Sequence, residues 1–207
     1  MRVAGLDLAA VNSGLCVIDS ATCAGYPPIE WTLHGEHAIK GGMQFPTRVT
    51  AAQQVMDIIE KAKPDLIALE DYALRMAPNN TSGYQYAEFA GIVKYYLYEA
   101  GYPILIIPPT TMRSFLGAKN GGGKEQLINT VYERYGFSSK QPRKGERSNV
   151  CDAFAHAYIG SCSYFARDGR LTANLKTQEK VALYGDGKKR LSIVEKQVMK
   201  RDDNGSS

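Results

Sequence analysis

The stretch from Val3 to Asp19 constrains the fold of this chain more than any other. Two short apolar runs, Val3 to Leu8 and Leu15 to Ile18, flank a small polar turn that ends in Gly14. Runs so closely spaced read as neighbouring strands joined by a tight connection. The first run carries one carboxylate, Asp7. An acid inside an otherwise apolar strand costs several kcal/mol unless a cation or hydrogen bonds compensate. Asp7 can meet that requirement by capping the turn through backbone N–H groups, as Asx residues do, or by ligating a metal on a rigid platform. Other acids reaching the same place would favour the second.

Downstream, Tyr26-Pro27-Pro28 breaks the pattern, and Ile29 to Ile39 alternates as a third strand, giving an antiparallel meander. From Pro46 to Ala62 apolar residues recur at helical spacing, with Thr47 as a cap and Pro64 as the stop. Asp65 to Glu70 is a short, nearly all-apolar run, the mark of a buried strand covered by helices, and it ends in acids. A helix over Gly83 to Ala100 precedes a buried strand, Ile104 to Ile107. A short helix (Thr110 to Leu116), a glycine-rich loop and a helix from Lys124 to Tyr135 follow. The last periodic helix runs from Asn149 to about Ala166. Three antiparallel strands, a helix, then strand–helix–strand–helix predict an α/β sheet of five strands, three antiparallel and then two parallel, with helices on both faces. This is the order of an RNase H-like fold.

At 207 residues, 44% apolar and 22% charged, the chain can build one good-sized core and a tail. No apolar run approaches the roughly 18 residues of a membrane span, and no basic-then-apolar leader opens the chain. A cytoplasmic protein is expected, in the host cytoplasm if the chain is viral. Cys16, Cys23, Cys151 and Cys162 are scattered, with no C-x-x-C pair, and read as reduced thiols. His34 and His37 have no cysteine near them and read as surface strand residues. The net charge of +4 is too mild to prove a nucleic-acid partner, so its placement matters more. Lys140, Arg143, Lys144 and Arg147 lie together before the last helix, against Glu146 alone.

Asp7 in the middle of strand one, Glu70 at the C-terminal end of strand four and Asp152 near the start of the last helix are expected to meet, because α/β folds place sites at strand ends and helix N-termini. Three converging carboxylates repel one another unless a divalent ion neutralises them, and hard oxygen donors select Mg²⁺ or Mn²⁺. A pair of such ions is the standard device for in-line phosphodiester hydrolysis.

With these residues in view, the sequence resembles the RuvC family of Holliday-junction resolvases, from Arg2 to about Ile159. G-L-D-L-A-A-V-N-S-G resembles the family's first catalytic strand and I-A-L-E-D-Y its second motif. M-R-S-F-L-G with G-G-G-K-E-Q-L resembles the basic segment, and N-V-C-D-A-F-A-H-A-Y the last helix. The resemblance implies a structure-selective, Mg²⁺-dependent endonuclease that resolves four-way junctions as a homodimer, leaving 5′-phosphate and 3′-hydroxyl ends. Asp7, Glu70, Asp152 and Lys124 are then catalytic. Two Mg²⁺ ions per site, or Mn²⁺ in their place, are held by Asp7, Glu70 and Asp152 with help from Asn149. Arg113 stands where the family usually has lysine.

Two positions depart from the pattern. Asn149 replaces a second acid or histidine one turn before Asp152; its carbonyl oxygen can ligate, but without charge. His156, a turn further on, can serve as a second-shell partner or simply pack in the helix, and Glu146 is a further candidate. Ala73 occupies the place of an aromatic wedge, leaving Tyr72 or Leu74 to act. Arg113, Lys119, Lys140, Arg143, Lys144 and Arg147 are expected to hold phosphate backbones without reading sequence. The helix from Gly83 to Ala100 is the candidate dimer face. Residues 1–167 form the nuclease domain in this reading, and 168–207 a basic, partly disordered tail that suits a phage-encoded version.

Competing readings differ in class. An actin-like phosphotransferase also opens on an aspartate and a glycine-rich turn, but needs a second domain and a second phosphate loop. A nuclease for flaps, other branched DNA or structured RNA keeps the fold and changes the substrate. A junction-binding module weakened through Asn149 keeps the partner and loses turnover.

Overall fold

The computed structural model describes residues 1–25, 27–71, 81–117, 123–171, 175–184 and 193–194. In chain order these form β1 (Arg2–Asp7), β2 (Asn12–Thr22), β3 (Ile29–Lys40), α1 (Phe45–Ala62), β4 (Leu66–Glu70), α2 (Thr81–Glu99), β5 (Ile104–Ile107), α3 (Pro109–Leu116), α4 (Lys124–Tyr135), α5 (Lys144–Arg167), α6 (Thr177–Tyr184) and β6 (Ile193–Val194). The sheet order is β3-β2-β1-β4-β5-β6. β1–β2 and β2–β3 pair antiparallel, and β1–β4 and β4–β5 pair parallel. The five expected strands are all present, as the α/β, RNase H-like reading requires. The two-residue β6, antiparallel to β5, adds a sixth.

The apolar runs of β1 and β4 follow from their place in the middle of the sheet, where both faces are covered. Side chains alternate across a strand. Ala4, Leu6, Ile67 and Leu69 therefore share a core with Val55 and Ile59 of α1 and Phe89 and Val93 of α2. Val3, Leu66 and Ala68 face the other way, toward Phe154, Tyr158 and Ile159 of α5, with α3, α4 and α6 beside them. Phe154 stacks on Phe137 with ring centroids 4.2 Å apart and meets Trp31 edge-on at 4.8 Å. The Trp31 indole N–H donates to the Tyr135 carbonyl at 3.1 Å.

Several expectations shift. Asp7 ends β1 and does not lie in its middle. α1 begins at Phe45 after Gln44, so Thr47 falls in its first turn and is not the cap. α5 begins more than a turn before Asn149, at Lys144, which places Asp152 inside the helix and away from its start. The first turn of α5 is solvated, and so lacks the apolar periodicity that marks the rest. The stretch from 168, expected as a tail, supplies α6, whose Ala182 and Leu183 are buried in the core beside α5, and β6. Cys16, Cys151 and Cys162 are buried free thiols. Among the described residues no helix is long and apolar enough to cross a membrane.

Candidate active site

Strand register brings two of the acids together. The last β1–β4 pair is Leu6 with Leu69, and Asp7 and Glu70 each follow by one residue. Both carboxylates thus leave neighbouring strands at the same level, on the face opposite Leu6 and Leu69, which is the face α5 covers.

Two glycines bring the third acid in. A Cβ on Gly5 would collide with the Ala153 carbonyl oxygen and the Ala157 nitrogen, and one on Gly14 with the Asn149 carbonyl. Gly14 is the β2 partner of Asp7. With no side chain at either position, the α5 backbone rests directly on β1 and β2, and Asp152, just before Ala153, reaches the end of β1. Gly160 repeats the device, its missing Cβ only 2.9 Å from the Ala68 Cβ.

The charges act on one another. Asp7 keeps some accessible surface, yet its carboxylate is surrounded by protein, and burial above all holds its proton well above the usual carboxylate range. Asp152 and Glu70 push it further up, and Lys124 pulls it down. Asp152 is raised to about 7, first by burial and then by Glu70, against Lys124 and Arg113. Glu70 is raised by burial and by Asp71, against Arg113. Two cations therefore face three carboxylates without neutralising them.

Asn149 is buried beside Lys124. Its Nδ2 donates to the Asn12 carbonyl at 2.7 Å, and its Oδ1 accepts from Lys124 Nζ at 3.5 Å. The turn after Asp7 is tied further by the Ser13 hydroxyl, bonded to both the N–H and the carbonyl of Ala9 at 3.0 Å, and by the Gly41 N–H on the Val11 carbonyl at 2.7 Å. A carboxylate at 149 could not donate to Asn12, so the amide braces the turn as well as accepting from Lys124.

Other expected residues stand elsewhere. His156 is fully buried, neither ring nitrogen has a hydrogen-bond partner, and burial lowers it to about 4, so the ring is neutral and does not hold Asp152. Glu146 faces Arg143 at 3.8 Å. Arg147 donates to the carbonyls of Gln141 and Pro142 at 3.2 and 3.0 Å, and Lys144 pairs with Glu125, which leaves Lys140 and Arg143 as the more open cations of the segment. Arg113 is exposed on α3. Tyr72, Leu74 and Lys119 lie outside the described residues.

Three contributors had no sequence signal read from them. Asp71 adds charge beside Glu70. Asn12 receives Asn149. Glu36 on β3 accepts the Lys140 N–H at 2.7 Å and the Ser139 hydroxyl at 3.3 Å, which pins the basic segment to the sheet. Gly5 and Gly14, spaced to lie on adjacent strands beside an acid, were the legible clue to the helix contact.

Among the described residues no three His, Cys, Asp or Glu side chains are arranged to close round a single ion. The donor chemistry nevertheless fits a hard divalent cation: the donors are oxygens, the charge is in excess, and the charges of two further carboxylates act on Asp7.

No family model and no curated protein matches the chain. Solved structures do. RuvC of T. thermophilus in complex with a Holliday junction substrate is 21% identical at TM-score 0.61, covering 82% of this chain and 98% of that one. The yeast mitochondrial Holliday junction resolvase Ydc2 is 16% identical at TM-score 0.52, covering 75% of each chain. The fowlpox virus resolvase with substrate Holliday junction DNA is 13% identical at TM-score 0.50, covering 81% of this chain and 98% of that one. Strand order, helix placement and these neighbours together make the chain RuvC-like in fold.

Proposed function

We propose that this chain is a metal-dependent endonuclease that cuts branched DNA, with the four-way junction as its substrate class. The observation that carries the reading is that Asp7, Glu70 and Asp152, from β1, β4 and α5, act on one another's charge while two cations leave it uncompensated. The neighbours that carry junction DNA in their structures support the choice of substrate.

In this reading Asp7, Glu70 and Asp152 would together hold two Mg²⁺ ions, and no single ion would need all three carboxylates. When bound, the ions supply an activated water and charge neutralisation at the leaving oxygen. The protein does the rest. The turn braced by Asn149, Ser13 and Gly41 holds Asp7 rigidly at the strand end. Lys124, beside Asp7 and Asp152, stabilises charge that develops on the phosphate, a preorganised contact of the kind worth roughly 3 kcal/mol. Arg113 does the same from the Glu70 side. Exposed Lys140 and Arg143 hold a phosphate backbone, and binding falls with salt. Tyr84 and Tyr95, both largely exposed on α2, suit a homodimer face, which two symmetric cuts require. Action in the cytoplasm, the host's if the chain is viral, is part of the same proposal.

The neutral oxygen of Asn149 favours one second reading, a junction-binding chain with slow turnover. A synthetic four-way junction incubated with the protein in Mg²⁺, Mn²⁺ or EDTA separates the two, beside Asp7→Asn. We expect nicking in Mg²⁺, none in EDTA, and an Asp7→Asn chain that still binds the junction but nicks at least ~10³-fold more slowly. Cleavage only in Mn²⁺ would select the second reading. Equal activity of the variant would remove Asp7 from the chemistry.

A further inference from the structure

We propose that α6 is a brace for the cationic side of the site, with Glu179 as its positioning residue. Glu179 is fully buried, and its Oε1 pairs with Arg134 Nη2 at 2.8 Å, while Oε2 accepts the Lys176 N–H at 2.9 Å and so closes the first turn of α6. The same guanidinium reaches a third helix: Arg134 Nη1 donates to the Phe115 carbonyl at 3.3 Å and to that of Leu116. These are carbonyls of the last turn of α3, which have no acceptor role left inside the helix. Gly117, at φ +66°, ends α3 in the left-handed conformation, and Arg134 Nη1 and the Gln178 amide fill the space where its Cβ would stand. Leu175, Ala182 and Leu183 join the core that holds Met112, Phe115 and Leu116.

Arg113 lies in the turn of α3 that this cluster ties down, and Lys124 opens α4, the helix that carries Arg134. The two cations whose charge acts on Asp7, Glu70 and Asp152 thus sit on helices that one buried ion pair joins. That pair exists only because α6 delivers Glu179. The C-terminal stretch, in this account, sets where Arg113 and Lys124 stand relative to the carboxylates, and Glu179 acts through them without touching DNA or metal.

The cleavage arm of the test rests on the endonuclease reading; the other arm does not. In the full-length, metal-free protein, amide hydrogen exchange is compared between wild type, Glu179→Gln and the apolar double replacement Arg134→Met/Glu179→Leu. The double variant removes both charges and so avoids an unpaired buried one, which keeps the fold testable if the single variant unfolds. The brace predicts at least ~10-fold faster exchange in α3 and α4 in the variants, with β1, β4 and α5 unchanged. On a four-way junction at saturating Mg²⁺, Glu179→Gln should nick ~10-fold more slowly, and should add nothing further in an Arg113→Ala/Lys124→Ala background. Unchanged exchange in α3 and α4, or a loss that simply adds to that of Arg113→Ala/Lys124→Ala, would overturn the proposal. If wild type fails to nick, the endonuclease reading falls, and the exchange result alone decides on the brace.

Discussion

The two sides of the candidate site are built by different means. The anionic side comes from β1, β4 and α5, which the core grips on two faces and which approach to backbone contact at Gly5 and Gly14. The cationic side comes from α3 and α4, whose Met112, Phe115, Leu116, Val131 and Tyr135 join one of those cores only, and which Arg134 and Glu179 tie together by polar bonds. Close packing fixes the carboxylates so firmly that they stay near one another despite mutual repulsion. The cations on α3 and α4 do not fully neutralise them. The resulting charge excess is what a divalent ion would relieve, and it is a property of the packing rather than of any single acid.

The largest effect should come from breaking the close contact. Gly5→Ala puts a methyl into the Ala153 carbonyl, so α5 must move off β1. We expect a loss of ~3 kcal/mol in chemical denaturation and a fall in junction cleavage far beyond what instability explains. Unchanged cleavage would mean that the position of Asp152 matters little.

Next comes pH. The three carboxylates are raised above their ordinary range, so between about pH 4 and the value near 7 reached by Asp152 the folded, metal-free protein holds protons that the unfolded chain has lost. Their contribution to stability therefore falls as pH rises through that window, by ~2–4 kcal/mol for Asp152. Melting curves in EDTA at pH 5 and pH 8 should show this slope in wild type relative to Asp152→Asn, with Mg²⁺ restoring the loss at pH 8. A slope of the opposite sign would show that the acids are not crowded together.

The smallest effect concerns Asn149. Asn149→Ala removes the bond to Asn12 and should cost ~1 kcal/mol, with cleavage reduced a few-fold. Asn149→Asp gives up the same bond but adds a charged donor, and should lower the Mg²⁺ concentration needed for half-maximal nicking. An unchanged Mg²⁺ requirement would place residue 149 outside the ion sites.

Much of the anionic side was legible in the sequence, because it rests on local rules. An acid closing an apolar run, a second run ending in acids and a periodic helix with Asp152 on it are patterns that neighbouring residues produce. The exact placements were less so. The solvated first turn of α5 hides a helix start in a basic run, and the end of β1 is set by its pairing with Gly14. The cationic side was scarcely legible. Glu179 sits in a polar stretch and is buried only because Arg134, 45 residues earlier in the chain, meets it. No periodicity reports a contact of that kind.

The central claim is that Asp7, Glu70 and Asp152 form one cation-binding cluster, and direct titration of Mn²⁺ into the protein without DNA tests it most simply. The account predicts saturable binding with proton release near pH 7 in wild type, strongly weakened in both Asp7→Asn and Asp152→Asn. Equal Mn²⁺ uptake by wild type and the two variants would contradict it.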